Sequence, residues 1–239
     1  MTNRVEKKSA GENPFNPINP LYFMHTPDIT KEERTLAIET LEEILTLAGV
    51  GEEIPLVDFG VWREPNYLDR NGELVPHKSV DWYVNRWFNA QRQQVDADSA
   101  MAQVVSDPWI ESQPHYDVIL TAQDLYQRNA DFVVGVAYPR IGTIISVNRF
   151  RAVSDKRMQR EAKKQEIYHE VGHVFGLPAE MEEFAPDYSS GGHCPNLCSV
   201  RQGIRVPDDW INFANERIKT GKVYCDSCID DLREYFKAR

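Results

Sequence analysis

Apolar residues recur at helical spacing early in the chain, where Ala37, Leu41, Ile44, Leu45 and Ala48 fall on one face. Thr30 and Glu33 form a capping box ahead of them, and Gly49 or Gly51 can end the helix so predicted. Leu56 to Val61 reads as a strand. Pro65 to His77 is turn-rich, with Asn71-Gly72 as a candidate hairpin turn. Asp81 can cap a second helix through Val84, Trp87 and Phe88, continuing to Val105 with a break near Asp96 and closed by Pro108. Its aromatics Trp82, Trp87 and Phe88 are expected in core packing rather than in a ligand pocket. Asp117–Thr121, Phe132–Tyr138 and Thr143–Val147 read as strands, the last two joined by the short Pro139–Gly142 connection. Ser154 or Asp155 starts a long helix. Its first half carries Lys156, Arg157, Arg160, Lys163 and Lys164, read as a solvated face, and its second half turns apolar through Ile167, Val171, Val174 and Phe175. Asp208 or Asp209 caps a helix to about Lys219 that Gly221 ends, and Ile229–Phe236 forms a final helix.

Helices and strands in this mixture predict an α+β fold. The proline-dense phrase Asn13-Pro14-Phe15-Asn16-Pro17-Ile18-Asn19-Pro20 favours extended backbone, so residues 1–28 are read as a tail. Residues 29–239 are read as one domain, with an upper part over 29–176 and a lower part over 177–239.

The chain has 239 residues, enough to bury a sizeable core. A formal charge of −10 argues against a nucleic-acid surface, which would be basic. No apolar stretch approaches the length that spans a membrane. Met1 to Gly11 is polar and lacks the apolar run of a secretory signal, so a cytoplasmic setting is expected. All four cysteines fall in two close pairs, Cys194/Cys198 and Cys225/Cys228. In a reducing compartment such pairs more often bind metal than form disulfides; two structural disulfides are the alternative.

The candidate chemistry centres on Tyr168-His169-Glu170-Val171-Gly172-His173-Val174-Phe175-Gly176. Histidines four apart on a helix share one face, one turn apart, and two imidazoles so placed can share a zinc ion. Glu170 cannot reach the metal as they do and is placed to touch a water there, which makes it a general-base candidate. Gly176 ends the helix by a left-handed turn, Pro178 keeps it from resuming, and the chain can swing back with a third ligand. The segment that follows offers Glu180, Glu182, Glu183, Asp187 and His193, all of types that bind zinc. Gly191-Gly192 gives the backbone freedom to present His193 inward.

His169-Glu170-x-x-His173-x-x-Gly176 is followed by His193-Cys194, Cys198 and a late Cys225-x-x-Cys228. In these motifs the chain resembles the archaemetzincins, metzincin-clan zinc peptidases, over roughly residues 115–236. Thr121-Ala122-Gln123-Asp124-Leu125 followed by Phe132-Val133-Val134-Gly135 resembles the pattern upstream of that family's zinc helix. The resemblance implies a metzincin-like twisted sheet, an active-site helix, and a small helical C-terminal part stapled by a four-cysteine zinc site. It implies His193 as third ligand of a catalytic zinc; the second choice, Asp187, comes instead from the ability of carboxylate oxygens to bind zinc. It implies a second, structural zinc on Cys194, Cys198, Cys225 and Cys228. It further implies an edge strand that binds peptide antiparallel, here Val134, Gly135, Val136 and Ala137. Three features depart from the family pattern. An insertion, Leu177 to Gly192, precedes His193, so that Ala179 stands where the family has its third histidine. The first cysteine pair is one residue closer. Val200 replaces the methionine that floors the metal.

The resulting expectation is a monomeric zinc metallopeptidase, an endopeptidase or aminopeptidase. It would act on peptides or unfolded protein, with Glu170 as general base. The alternative is a non-catalytic or latent zinc scaffold of the same fold. A redox role for Cys225 and Cys228 is weak beside the second cysteine pair.

Overall fold

The computed structural model describes residues 18–62, 66–68, 71–76, 78–179 and 192–237. Its centre is a five-stranded sheet of β1 (Leu21–His25), β2 (Leu56–Gly60), β7 (Tyr116–Thr121), β10 (Gly135–Tyr138) and β11 (Gly142–Ser146), in the spatial order β10-β11-β7-β1-β2. Strand β1 pairs parallel with β2 and β7, β7 pairs parallel with β11, and β10 lies antiparallel to β11 at the edge. Inner parallel strands are covered on both faces and lose the alternation of apolar and polar residues. Strand β7 is accordingly buried at every position.

The same physics corrects the reading of residues 1–28 as a tail where it covers 21–25; residues 1–17 lie outside the described residues. Leu21–His25 is an inner strand, with Leu21, Phe23 and Met24 fully buried. Prolines at 20 and 27 bracket the run and mask it. Pro20 has no N–H to give, yet its carbonyl accepts from the Tyr116 amide at 2.9 Å, so the proline serves the sheet at its rim.

Helix α1 (Lys31–Ala48) begins at the expected capping box and ends at Gly49, whose φ is 79°. It packs on α5 (Lys156–Val174), which Asp155 caps by accepting from the amides of Arg157 and Met158. Here the basic half of α5 departs from a solvated face. Arg160, Lys163 and Lys164 reach Glu39, Glu33 and Glu43 of α1 at 2.8, 2.7 and 2.6 Å. Glu33 also takes Arg151 at 2.6 Å, and both Glu33 and Lys163 are buried. Burial alone would raise the Glu33 pKa. Hydrogen bonds from Arg151, Lys163 and the Thr30 amide overcome that and bring it down to about 2.

A second lobe covers the other face. The hairpin β3 (Asn66–Leu68) and β4 (Leu74–Pro76) flanks Asn71-Gly72. The long helix expected to Val105 is two helices, α2 (Val80–Arg86) and α3 (Ala97–Val105), separated by β5 (Phe88–Asn89) and β6 (Gln94–Asp96). Gln93 turns the chain between these short strands at a φ of 55°, and Asp96 then caps α3 by accepting from the Ser99 amide at 3.1 Å. Pro108 opens α4 (Pro108–Ser112) rather than closing a helix, because proline fits the first helical turn. Strands β8 (Leu125–Gln127) and β9 (Ala130–Val133) complete a small sheet in the order β5-β6-β8-β9. The stretch read as one strand over 132–138 therefore serves two sheets, changing partner at Val134.

After α5 come α6 (Asp208–Thr220) and α7 (Asp226–Lys237). One buried cluster joins Leu21, Leu41, Val171, Tyr224, Leu232 and Phe236, so the upper and lower parts share a core. Among the described residues no helix is long and apolar enough to cross a membrane.

Candidate metal centre

Helix α5 carries His169 and His173 on one face, and the loop before α6 returns His193 to them. The Nε2 atoms of His173 and His193 each lie 3.2 Å from Nε2 of His169. Nitrogens held about 2.0–2.1 Å from a tetrahedral zinc stand about 3.3 Å apart, so the three rings have the spacing of a metal triad. The opposite ring nitrogens are committed elsewhere. His169 Nδ1 meets the Ser199 carbonyl at 2.9 Å and His173 Nδ1 meets the Leu177 carbonyl at 2.7 Å. A carbonyl only accepts, so the proton sits on each Nδ1 and leaves Nε2 with its lone pair facing the centre. Burial, and then the neighbouring rings, push the His169 pKa well below its usual value, and the same causes bring His173 down to about 4. Both rings are thus neutral at neutral pH, the form in which an imidazole nitrogen can bind a metal.

Gly176 makes the His173 contact possible. Its φ of 76° ends α5, and the Leu177 amide turns back to the Gly172 carbonyl at 2.9 Å. That turn brings the Leu177 carbonyl over His173.

The four cysteines form a second cluster. All are free thiols, and the ligand atoms of each cluster lie within 4.8 Å of one another. Cys194 Sγ and Cys225 Sγ are 3.7 Å apart, against about 3.8 Å for sulfurs about 2.3 Å from a tetrahedral zinc. The alternative of two disulfides does not hold. A hydrogen bond from Cys228, with others from the Cys225 and Val200 amides, outweighs burial and lowers the Cys198 pKa to about 6. Burial, the largest cause, pushes Cys194 up to about 11.

The two clusters are joined through residues 193–200. His193 directly precedes Cys194, whose amide donates to the Val200 carbonyl at 2.9 Å. Ser199, next to Cys198, is fixed to the Val223 carbonyl through its amide at 3.1 Å and its hydroxyl at 2.7 Å. Its own carbonyl then orients His169. Val200 is fully buried, and a Cβ on Gly172 would stand 2.6 Å from Val200 Cγ1. The valine therefore presses on α5 at Gly172, between the two helix histidines, where a larger residue would have to displace it.

Glu170 is buried beside this centre, against the edge strand: a Cβ on Gly135 would fall 2.5–2.7 Å from its Cγ, Cδ and Oε1. Four residues back, Glu166 is wholly buried, and the Trp210 indole N–H of α6 donates to Glu166 Oε2. Burial pushes the pKa of both carboxyls up, and the charge of Glu166 adds to the rise at Glu170. Sequence reasoning passed over Glu166, although its spacing to Glu170 is that of His169 to His173. It also missed the carbonyls of Ser199 and Leu177, which no side-chain motif announces.

In the proposed substrate strand, Val134 and Val136 are buried and turned inward. The Val134 carbonyl accepts from the Ser146 amide at 2.7 Å, so by antiparallel alternation Gly135 and Ala137 direct their backbone groups to the outer edge. Asp187, with Glu180, Glu182 and Glu183, lies outside the described residues.

No protein-family model matches the chain. In sequence it is 32% identical over 110 residues to an archaemetzincin of Nanoarchaeum equitans, covering 46% of this chain and 48% of that protein. The chain spans about half the length of the curated relatives it matches. In structure it resembles the archaemetzincin of Methanopyrus kandleri with a TM-score of 0.61 at 18% identity, over 96% of this chain and 99% of that one. It also resembles a zinc-dependent peptidase from Methanocorpusculum labreanum, with a TM-score of 0.54 at 19% identity, over 89% of this chain and 99% of that one. The chain is thus archaemetzincin-like, by sequence over about half its length and by fold over nearly all of it.

Proposed function

We propose that this chain is a zinc-dependent metallopeptidase of the metzincin kind, an endopeptidase or aminopeptidase acting on peptides or unfolded protein. One observation carries the reading: three imidazole Nε2 atoms converge at zinc spacing with the helix histidines' outer nitrogens tied to carbonyls, beside a buried glutamate. His169, His173 and His193 would hold the catalytic zinc, and Cys194, Cys198, Cys225 and Cys228 a second, structural one. A zinc ion at the histidines supplies Lewis acidity and brings the pKa of a water it binds to about 7.

The chain's own residues supply the rest. Glu170 takes a proton from the attacking water at its carboxylate and passes it to the leaving amine nitrogen, so an O–H bond is exchanged for an N–H bond as the C–N bond breaks. The substrate lies antiparallel along β10, paired with the outward N–H and C=O groups of Gly135 and Ala137. Val134 and Val136 hold that strand to the core from behind. Four free thiols suit a reducing compartment such as the cytoplasm, and a net charge of −10 suits a protein without nucleic-acid partners. We take the working form to be a monomer.

The test is turnover of a broad peptide library by the zinc-loaded protein. Glu170→Gln should retain two zinc ions and lose about 10²- to 10⁴-fold in kcat. Equal turnover by the two proteins would defeat the hydrolase reading and favour a zinc-binding scaffold.

A further inference from the structure

We propose that Gln165 is a positioning residue for the zinc centre: its side-chain amide, held by Arg217 of α6, donates to the Ser199 carbonyl and fixes the acceptor that orients His169. The inference rests on the peptidase reading and adds to it a residue that lies outside both the zinc motif and the cysteine pairs.

Gln165 stands one turn before His169 on α5, and both side chains meet the same carbonyl. His169 Nδ1 lies 2.9 Å from the Ser199 oxygen, and Gln165 Nε2 lies 3.4 Å from it. Which end of the amide faces that carbonyl follows from what holds the other end. Arg217 donates its Nε–H to Gln165 Oε1 at 3.3 Å. A guanidinium can only donate, so the amide oxygen faces Arg217 and the amide N–H faces Ser199. Ser199 has one hydroxyl proton, and the Val223 carbonyl at 2.7 Å takes it rather than Gln165 Oε1 at 3.4 Å. Arg217 is fixed in turn by Glu161, whose Oε2 accepts from Nη2 at 2.7 Å. Gln165 and Ser199 are 1% and 2% exposed, so these bonds are shielded from solvent. A carbonyl oxygen has two lone pairs, and here one meets the imidazole and the other the amide. Ser199 belongs to a loop, and the amide ties its carbonyl back to the helix that carries the histidines. The orientation of a metal-binding imidazole is set by what its second nitrogen binds. A glutamine that merely anchored α6 to α5 would need only its bond to Arg217.

The test uses the full chain loaded with zinc and two variants. Gln165→Met keeps the length of the side chain and removes both bonds. Gln165→Glu can still accept from Arg217 but turns a carboxylate, which has no proton to give, towards the Ser199 carbonyl. Zinc is withdrawn by a graded chelator. X-ray absorption of what remains tells the sites apart, because nitrogen ligands lie at about 2.0–2.1 Å and sulfur at about 2.3 Å. Both variants should weaken zinc at the histidines by about 10-fold and leave zinc at the cysteines within about twofold of wild type. A second readout is the His169 Nδ1–H proton, identified by its proximity to the Ser199 protons. In both zinc-loaded variants it should exchange with solvent about 10-fold faster. An anchoring role alone predicts otherwise for Gln165→Glu, whose charge would hold Arg217 at least as well as the amide does. Wild-type affinity at the histidines in either variant therefore overturns the proposal, and so does an equal loss of zinc from both sites in Gln165→Met. If Gln165→Met fails to fold, Gln165→Glu decides alone. None of these readouts uses turnover. A chain that behaves as expected here and hydrolyses no peptide would sink the peptidase reading and leave the role of Gln165 standing.

Discussion

The two ligand clusters lie a few residues apart along the same loop, yet they are built differently. The thiol cluster has four ligands, the full complement of a tetrahedral ion, with a backbone amide on Cys198 and Ser227 beside Cys225. The imidazole cluster has three ligands, each helix histidine braced by a backbone carbonyl, and next to it a confined pair of carboxyls. Four ligands close a site; three leave a position for chemistry. The contrast teaches that the loop over 193–200 does two jobs at once. It brings Cys194 and Cys198 to Cys225 and Cys228, and it places His193, the Ser199 carbonyl and Val200 against the histidine face of α5.

If the thiol cluster is structural, breaking it should unfold before it inactivates. Cys228→Ser should cost one zinc ion and lower the melting temperature by more than about 10 °C, since zinc binding to such sites is folding free energy. Zinc counting and a thermal melt read both. Breaking the imidazole cluster should do the opposite. His193→Ala should weaken one zinc by at least about 100-fold and abolish turnover while leaving the melt within a few degrees, whereas Asp187→Ala should keep both ions. Loss of zinc in Asp187→Ala and its retention in His193→Ala would reverse the ligand assignment.

A control away from both clusters is Glu33. Its folded pKa of about 2 lies below the ordinary 4.5, so the ionised form favours the folded state. That stabilisation is complete above pH 4.5 and fades as pH falls towards 2, amounting to at most about 3 kcal/mol. Acid melts of wild type and Glu33→Gln should therefore converge across that window, with metal-free protein used in both. The smallest effect is expected at Gly172. Gly172→Ala must displace Val200, and overpacking should outweigh the gain in helix propensity to leave a net loss of about 1–2 kcal/mol. The shift should also loosen zinc at His169, because Val200 and the Ser199 carbonyl move together.

What the sequence disclosed follows from how local each signal is. His169, Glu170 and His173 declare themselves because helical spacing alone places them. The cysteine pairs do so because thiols are rare and paired. The capping box at Thr30 and the left-handed turns at Gly49, Gly176 and Gly221 are equally local, and each stands where expected. Strand β1 was hidden because an inner parallel strand shows no alternation and its flanking prolines suggest a tail. The hairpin inside the expected helix over 81–105 was hidden because its turn lacks glycine and proline and uses Gln93 at positive φ. The pairing of Arg160, Lys163 and Lys164 with α1 depends on a helix more than a hundred residues away in sequence. Glu166 and the Ser199 carbonyl acquire meaning only once α6 and the thiol loop are docked against α5.

The most direct trial of the account is anomalous diffraction at the zinc edge from crystals of the full chain. Two peaks per chain are expected. One should lie about 2.0–2.1 Å from Nε2 of His169, His173 and His193, and the other about 2.3 Å from the sulfurs of Cys194, Cys198, Cys225 and Cys228. A peak at the sulfurs alone, with the three imidazoles empty in excess zinc, would contradict it.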